Sequence, residues 1–145
     1  MFASCTALQV APALPSLSAY TSAYTAMFKG CTSLTTPPVL PATMPGAWAY
    51  HQMFYGCTSL VTAPDLLAVS ADSRAYTYMF AGCTSLNYVK CLLRVLSNWD
   101  GSLTVASFLD GVQTNGTLVK NPNTPTSDWE GVRVVPNTWT IVDAT

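Results

Sequence analysis

One eight-residue motif occurs four times in this chain at a constant spacing. "MFASCTAL" opens the chain, and "MFKGCTSL", "MFYGCTSL" and "MFAGCTSL" follow, each beginning 26 residues after the motif before it. A unit this short cannot bury its own apolar face, so a fixed period of about 20–50 residues indicates repeats that stack on their neighbours. The opening motif therefore matches the interior of a repeat unit.

Other apolar positions recur in the same register. The aligned sets are Tyr24, Tyr50 and Tyr76; Phe2, Phe28, Phe54 and Phe80; Leu8, Leu34, Leu60 and Leu86; and Cys5, Cys31, Cys57 and Cys83. We expect the aligned thiols to be buried and unpaired, because side chains stacked in a ladder point in parallel and not at each other. The fifth cysteine, Cys91, lies outside the ladder.

Each repeat is predicted to combine a short helix with an extended segment. The spacing i, i+3, i+4 and i+7, which marks one face of a helix, is found at Tyr50, Met53, Phe54 and Cys57. Gly56 is expected to end that helix. Residues 60–66 contain Pro64 and are expected to be a weak strand, a sheet edge or a polyproline-like segment.

The period fails after Leu92, which divides the chain into two predicted domains. Residues 1–92 form the repeat domain, whose first repeat is truncated or continued from upstream. Residues 93–145 contain a degenerate copy, "SFLDGV", followed by "NGTLVKNPNT" and "WEGVRVVPNTWTIV", whose composition predicts strands. Terminal repeats are atypical because they cover the open end of the core. The second domain is therefore predicted to be a β-rich C-terminal cap.

Composition argues against several function classes. Only 9% of the residues are charged, against about 25% in typical soluble domains. The six Lys and Arg residues are scattered and the net charge is −1, so no basic stripe for nucleic acid is predicted. No apolar run approaches the roughly 18 residues of a membrane span, so membrane insertion is not expected. Weak charge repulsion is compatible with a homo-oligomer.

No catalytic or metal-binding pattern is evident. The chain has one histidine, His51, and no Cys or Asp lies at a spacing from it that is typical of a catalytic or metal-binding site. Cysteines 26 residues apart do not resemble the closely spaced ligands of a zinc site. We therefore expect a protein that is not an enzyme and that needs no cofactor or metal.

The side of the predicted helix opposite the core carries the candidate binding residues. Stacking of successive repeats would join these positions into one exposed face that contains Lys29, Trp48, His51, Tyr55, Arg74 and Tyr78. Aromatic residues and arginine are enriched at protein interfaces. The alternative is a repeat surface that varies freely because nothing packs against it.

The repeated motif resembles the core of the BspA-like leucine-rich repeats. These occur in surface proteins of gut and oral Bacteroidales and in proteins of phages that infect them. The pattern Phe-x-Gly-Cys-x-Ser-Leu occurs at residues 28–34, 54–60 and 80–86. The resemblance covers about residues 1–92 and implies an α/β fold, a right-handed leucine-rich-repeat solenoid of about four 26-residue coils.

Two functions follow from the resemblance and the composition. The first is an extracellular adhesion or recognition module, displayed on a bacterial cell surface or a phage particle, that binds a protein or glycan. The alternative is a structural subunit of a virion, fibre or surface assembly. Phe2 and Leu8 would then form an assembly edge, because residues 1–8 are expected to be covered by further repeats or by a neighbouring subunit.

Overall fold

The structure, a computed structural model, describes residues 1–97, 102–130 and 134–145. Its regular elements are short and lie in the second half of the chain. They are β1 (Tyr88–Cys91), β2 (Thr117–Lys120), α1 (Thr126–Trp129) and β3 (Thr140–Asp143). The strands form one parallel sheet in the order β1-β2-β3.

The predicted α/β right-handed leucine-rich-repeat solenoid of about four 26-residue coils is wrong. Among the described residues the only helix is the four-residue α1, which lies outside the repeats. Within the segment 50–57, predicted to be helical, residues 50–56 form turns. The extended parts of the first repeats form only isolated parallel bridges, between Val10 and Thr36 and between Thr62 and Tyr88. The described residues therefore contain no helix–strand coils.

The backbone of the repeats explains why no helix forms. Within residues 47–56, Trp48, Gln52 and Gly56 have positive φ angles of 60°, 54° and 72°. An α-helix needs an unbroken run of residues with φ near −60°. The equivalent positions in the neighbouring repeats are also left-handed, namely Ser22, Ala26, Gly30, Arg74, Tyr78 and Gly82. Residues 21–30, 47–56 and 73–82 are therefore runs of overlapping turns, called the turn segments below.

Backbone hydrogen bonds of two kinds alternate along each turn segment. The N–H of Cys57 donates locally to the carbonyl of Phe54 at 3.0 Å. The N–H of Phe54 donates instead to the carbonyl of Met79, in the next repeat, at 2.9 Å. Half of the donors are thus taken by the neighbouring turn segment, which satisfies buried backbone groups without a helix.

The core consists of side chains from equivalent positions in contact with each other. The rings of Phe28 and Phe54 stack with centroids 5.6 Å apart, and Phe54 stacks on Phe80 at the same distance. The four positions predicted to face inward are confirmed as buried, namely Tyr50, Met53, Phe54 and Cys57. Packing between repeats therefore replaces the helix as the source of order.

Three of the four ladder thiols lie in this core, whereas Cys5 is exposed, so the expectation of burial is wrong for Cys5. Cys31 and Cys57 are buried and unpaired, which confirms the expectation for these two thiols, and Cys91 is buried as well. The Cys57 Sγ donates to the carbonyl of Phe28 at 3.1 Å, and the Cys83 Sγ donates to that of Phe54 at 3.0 Å. Each thiol therefore links its own repeat to the one before it.

The C-terminal region extends the aromatic core of the repeats, but its contacts do not follow the 26-residue spacing. The ring of Phe108 packs on Phe80 with centroids 5.3 Å apart. Strands β2 and β3 lie within residues 93–145, and Lys120 of β2 is buried and forms an ion pair with Asp143 of β3. Part of the segment expected to form strands, residues 131–133, lies outside the described residues, as do residues 98–101. The domain boundary after residue 92 stays a prediction.

Candidate functional site

Two cation–aromatic pairs connect neighbouring turn segments on one surface. The guanidinium carbon of Arg74 lies 5.0 Å from the ring centroid of Trp48. The Nζ of Lys29 lies 4.9 Å from the ring centroid of Tyr55. Each pair joins residues from adjacent repeats, so the stacking of repeats brings these side chains together.

His51 occupies the middle of the same surface. Its ring meets Trp48 edge to face, with centroids 4.8 Å apart, and meets Tyr78 similarly at 6.2 Å. The Oε1 of Gln52 accepts a hydrogen bond of 2.9 Å from the Lys29 Nζ. The six candidate residues thus form two neighbouring groups on adjacent turn segments. The name aromatic face is used below for Lys29, Trp48, His51, Tyr55, Arg74 and Tyr78.

The left-handed backbone of the aromatic face is a property of the repeat. Trp48, Arg74 and Tyr78 have positive φ angles, which cost about 1–2 kcal/mol for residues other than glycine. Such strain often marks functional sites. Here Ser22 and Ala26 adopt the same conformation without belonging to the face. The strain therefore gives no support to a functional role.

A cavity of about 610 Å³ opens beside the aromatic face. Its walls are formed by Trp48, His51, Gln52, Arg74, Thr77, Tyr78, Ser102, Leu103 and Ala106. The sequence pattern did not identify Leu103 and Ala106 as part of this site, because the 26-residue period ends before them. Thr77 lies one 26-residue period after His51, so the repeat spacing could have identified it as a residue of this site.

Two polar atoms of this cavity are buried without a hydrogen-bond partner among the described residues. They are the Oγ1 of Thr77, whose residue is only 5% exposed, and the Nδ1 of His51. Buried polar atoms without partners are uncommon, and each costs about 1–3 kcal/mol relative to a satisfied one. Both atoms lie beneath the cavity surface, so a ligand would recover that free energy where the covering side chains move and let it hydrogen-bond to them.

His51 is held in its neutral form. Burial lowers the pKa of His51 below its ordinary value, and the backbone of Thr77 acts in the opposite direction. The positive charges of Lys29 and Arg74 lower the pKa further. A neutral imidazole has one nitrogen that donates and one that accepts, so this ring is suited to a ligand hydroxyl.

The aromatic face is positively charged, although the whole chain carries a net charge of −1. Within the described part of the chain, the two ion pairs are Lys90–Asp65 and Lys120–Asp143, and neither involves the face. The charges of Lys29 and Arg74 are therefore not neutralised by an acidic partner there. Such a patch attracts anionic groups.

The predicted assembly edge does not join the aromatic face. Phe2 is half-buried, and its ring stacks on Phe28 with centroids 5.6 Å apart. Leu8 is also half-buried and packs against the core, whereas Met1 is fully exposed. Whether further chain or a second subunit covers this edge stays a prediction.

The aromatic face combines cationic, aromatic and hydrogen-bonding side chains. Over residues 1–97, 102–130 and 134–145, no three His, Cys, Asp or Glu side chains are grouped so that they could hold a metal ion. Burial raises the pKa of Cys57 and of Cys91 to about 12, so these thiols stay protonated at neutral pH. What the surface does offer is two ordered cations, aromatic rings and two hydrogen-bonding atoms.

No protein-family model, curated protein or solved structure matches this chain. The resemblance to BspA-like repeats therefore stays a prediction that rests on the repeated motif. In the described residues no helix has the length and apolar character needed to cross a membrane.

Proposed function

We propose that this chain is a non-enzymatic recognition module that binds a partner through the aromatic face. The observation that carries the proposal is the cavity beside the face, where the buried Thr77 Oγ1 and His51 Nδ1 have no hydrogen-bond partner in the described part of the chain. Aromatic and arginine side chains that surround a cavity are typical of binding sites. The motif resemblance supports a location outside the cell, on a bacterial surface or a phage particle.

The exposure of the face supports this function. Tyr55 and Tyr78 are 39% and 36% exposed, so their rings remain accessible in the single chain. Arg74 is exposed as well, although it is stacked on Trp48. These side chains are ordered by contacts with each other, which lowers the entropy that binding must remove.

Binding of the fluorescently labelled protein to gut and oral Bacteroidales cells tests the proposal. We expect saturable binding that falls by about 30-fold or more in the double variant Trp48→Ala and Tyr78→Ala, as for central interface residues. The matched control is Tyr20→Ala, which removes an exposed tyrosine outside the face. Thermal unfolding checks that each variant is folded. Equal binding by the double variant and the parent protein would contradict the proposal.

A second candidate function, structural assembly, is favoured by exposed apolar side chains away from the aromatic face. Tyr20 and Val39 are 77% and 78% exposed, and Leu17 and Met44 are also largely exposed. Apolar patches of this kind often mark contacts between proteins. Native mass spectrometry and a structure of any multimer separate the two functions. A multimer whose contacts cover Trp48, Tyr55 and Tyr78 assigns those residues to assembly.

A further inference from the structure

Arg74 is arranged to receive an anion. Its guanidinium lies over the ring of Trp48, and in the described part of the chain it has no acidic partner. This contact with the ring face leaves N–H groups of the guanidinium available for other partners. Those groups match the two oxygens of a carboxylate in a bidentate hydrogen bond.

Lys29 supplies a second cation, held in place by two contacts. Its Nζ donates to the Gln52 Oε1 and lies over the ring of Tyr55. Because two contacts fix this ammonium group, it loses little further freedom when an anion approaches. The face therefore presents two ordered positive charges.

The cavity beside Arg74 suits a ligand that carries hydroxyl groups. Thr77 Oγ1 can donate and accept, and the neutral His51 ring can accept or donate through Nδ1. A carboxylate alone could accept from the Thr77 hydroxyl or from an N–H at His51 Nδ1, but it could not donate to either atom. A ligand hydroxyl can satisfy either atom, because it is both a donor and an acceptor.

The size of the cavity favours a small ring over a peptide surface. Its volume of about 610 Å³ lies within the roughly 300–1,000 Å³ of small-ligand sites. Trp48 and Tyr78 give it aromatic walls, and Leu103 and Ala106 add apolar ones. The C–H faces of a sugar ring pack well against such walls, while its hydroxyl groups reach the polar atoms.

We propose that the cavity and the aromatic face bind a carboxylated sugar of a glycan, either a uronic acid or a sialic acid, with the carboxylate on Arg74. This inference rests on the proposed recognition function and narrows its partner to one ligand class. The sugar hydroxyls would bind Thr77 and His51, and the second cation, Lys29, would strengthen the attraction for the negative charge.

Isothermal titration calorimetry with trigalacturonic acid and with sialyllactose tests the charge requirement. The control for each sugar is its methyl ester, which keeps the ring and the other hydroxyls but removes the charge. We expect at least one acid to bind about tenfold or more tightly than its ester. Equal affinities for acid and ester, or no binding of either acid, would overturn the proposal. Binding of hexaglutamate in place of both sugars would overturn it in favour of an acidic peptide.

Matched arginine variants test the position of the carboxylate. Arg74→Gln should weaken binding of the preferred acid by about tenfold or more. Arg94→Gln removes an exposed arginine outside the aromatic face and should leave the affinity unchanged. The proposal fails if both variants bind the acid as tightly as the parent protein does.

Thr77→Val separates a ligand-binding role from a structural one. The substitution keeps the shape of the side chain and removes a buried hydroxyl that has no protein partner. We therefore expect an unchanged or higher Tm together with severalfold weaker sugar binding. Unchanged sugar binding, or a lower Tm, would contradict the assigned role of this hydroxyl.

The cell-binding assay distinguishes failure of this inference from failure of the proposed function. Trigalacturonic acid or sialyllactose should displace the labelled protein from cells. Binding to cells that depends on Trp48 and Tyr78 but resists both sugars would reject the sugar and leave the recognition function standing. Absence of any binding that depends on the face would reject both.

Discussion

Burial of His51 makes the stability of the protein dependent on pH. Its pKa is lowered in the folded state, chiefly by burial, so the unfolded chain binds a proton first as the pH falls below about 6.5. The free energy of unfolding should therefore decrease between pH 7 and pH 5. Thermal unfolding measures this effect. The decrease in Tm between pH 7 and pH 5 should be smaller for His51→Gln than for the parent protein, because His51 is the single histidine of the chain. An equal decrease in Tm for the two proteins would show that folding does not lower the pKa of His51.

The five thiols should differ sharply in reactivity. Cys5 is exposed, whereas Cys31, Cys57, Cys83 and Cys91 are buried. Burial raises the pKa of Cys57 to about 12, so little reactive thiolate forms at neutral pH. Under native conditions a bulky thiol reagent should label Cys5 rapidly and the buried thiols only on unfolding. Mass spectrometry of the labelled peptides measures this, and rapid modification of Cys57 would contradict the buried ladder.

At the scale of the element, the sequence predicted which side chains are buried but not the backbone that buries them. Residues at i, i+3, i+4 and i+7 share one face of a helix, and in the turn segments Tyr50, Met53, Phe54 and Cys57 share one face as well. The same apolar spacing therefore fits both backbones. Glycine marks only one of the three left-handed positions of a segment, whereas Trp48 and Gln52 give no local signal for positive φ.

Glycine substitution at Ala26 distinguishes the turn segment from a helix. In a helix, Ala→Gly costs about 1 kcal/mol. Ala26 has a φ of 53°, so glycine would relieve about 1–2 kcal/mol of backbone strain and offset its own entropic cost. Chemical denaturation should show that Ala26→Gly is neutral or stabilising by up to about 1 kcal/mol. The control Ala23→Gly, at an exposed position outside the left-handed set, should be destabilising. A similar decrease in the free energy of unfolding in both variants would favour a helix at this segment.

At the scale of the whole molecule, the strict period allowed the candidate face to be predicted across three repeats. Contacts such as Arg74 with Trp48 follow from equivalent positions lying side by side. The cavity was not predictable in the same way, because Leu103 and Ala106 follow the end of the period. There the partner of Phe80 is Phe108, which the repeat spacing does not specify. Irregular regions are determined by tertiary packing, which leaves no periodic pattern in the sequence.

The phenylalanine ladder should make the repeats unfold as one unit. Phe54 is fully buried, and its ring stacks on both Phe28 and Phe80. Phe54→Ala should lower the free energy of unfolding by about 3–5 kcal/mol, because it leaves a cavity between two rings. The control Tyr55→Ala alters the adjacent, exposed residue and should cost much less. Denaturation followed by tryptophan fluorescence and by circular dichroism should give coincident, shifted midpoints for Phe54→Ala. Trp48 lies in the repeats and Trp129 packs against Phe108 at the far end of the ladder, so a fluorescence transition that splits into two steps would show that the repeats and the C-terminal region unfold separately.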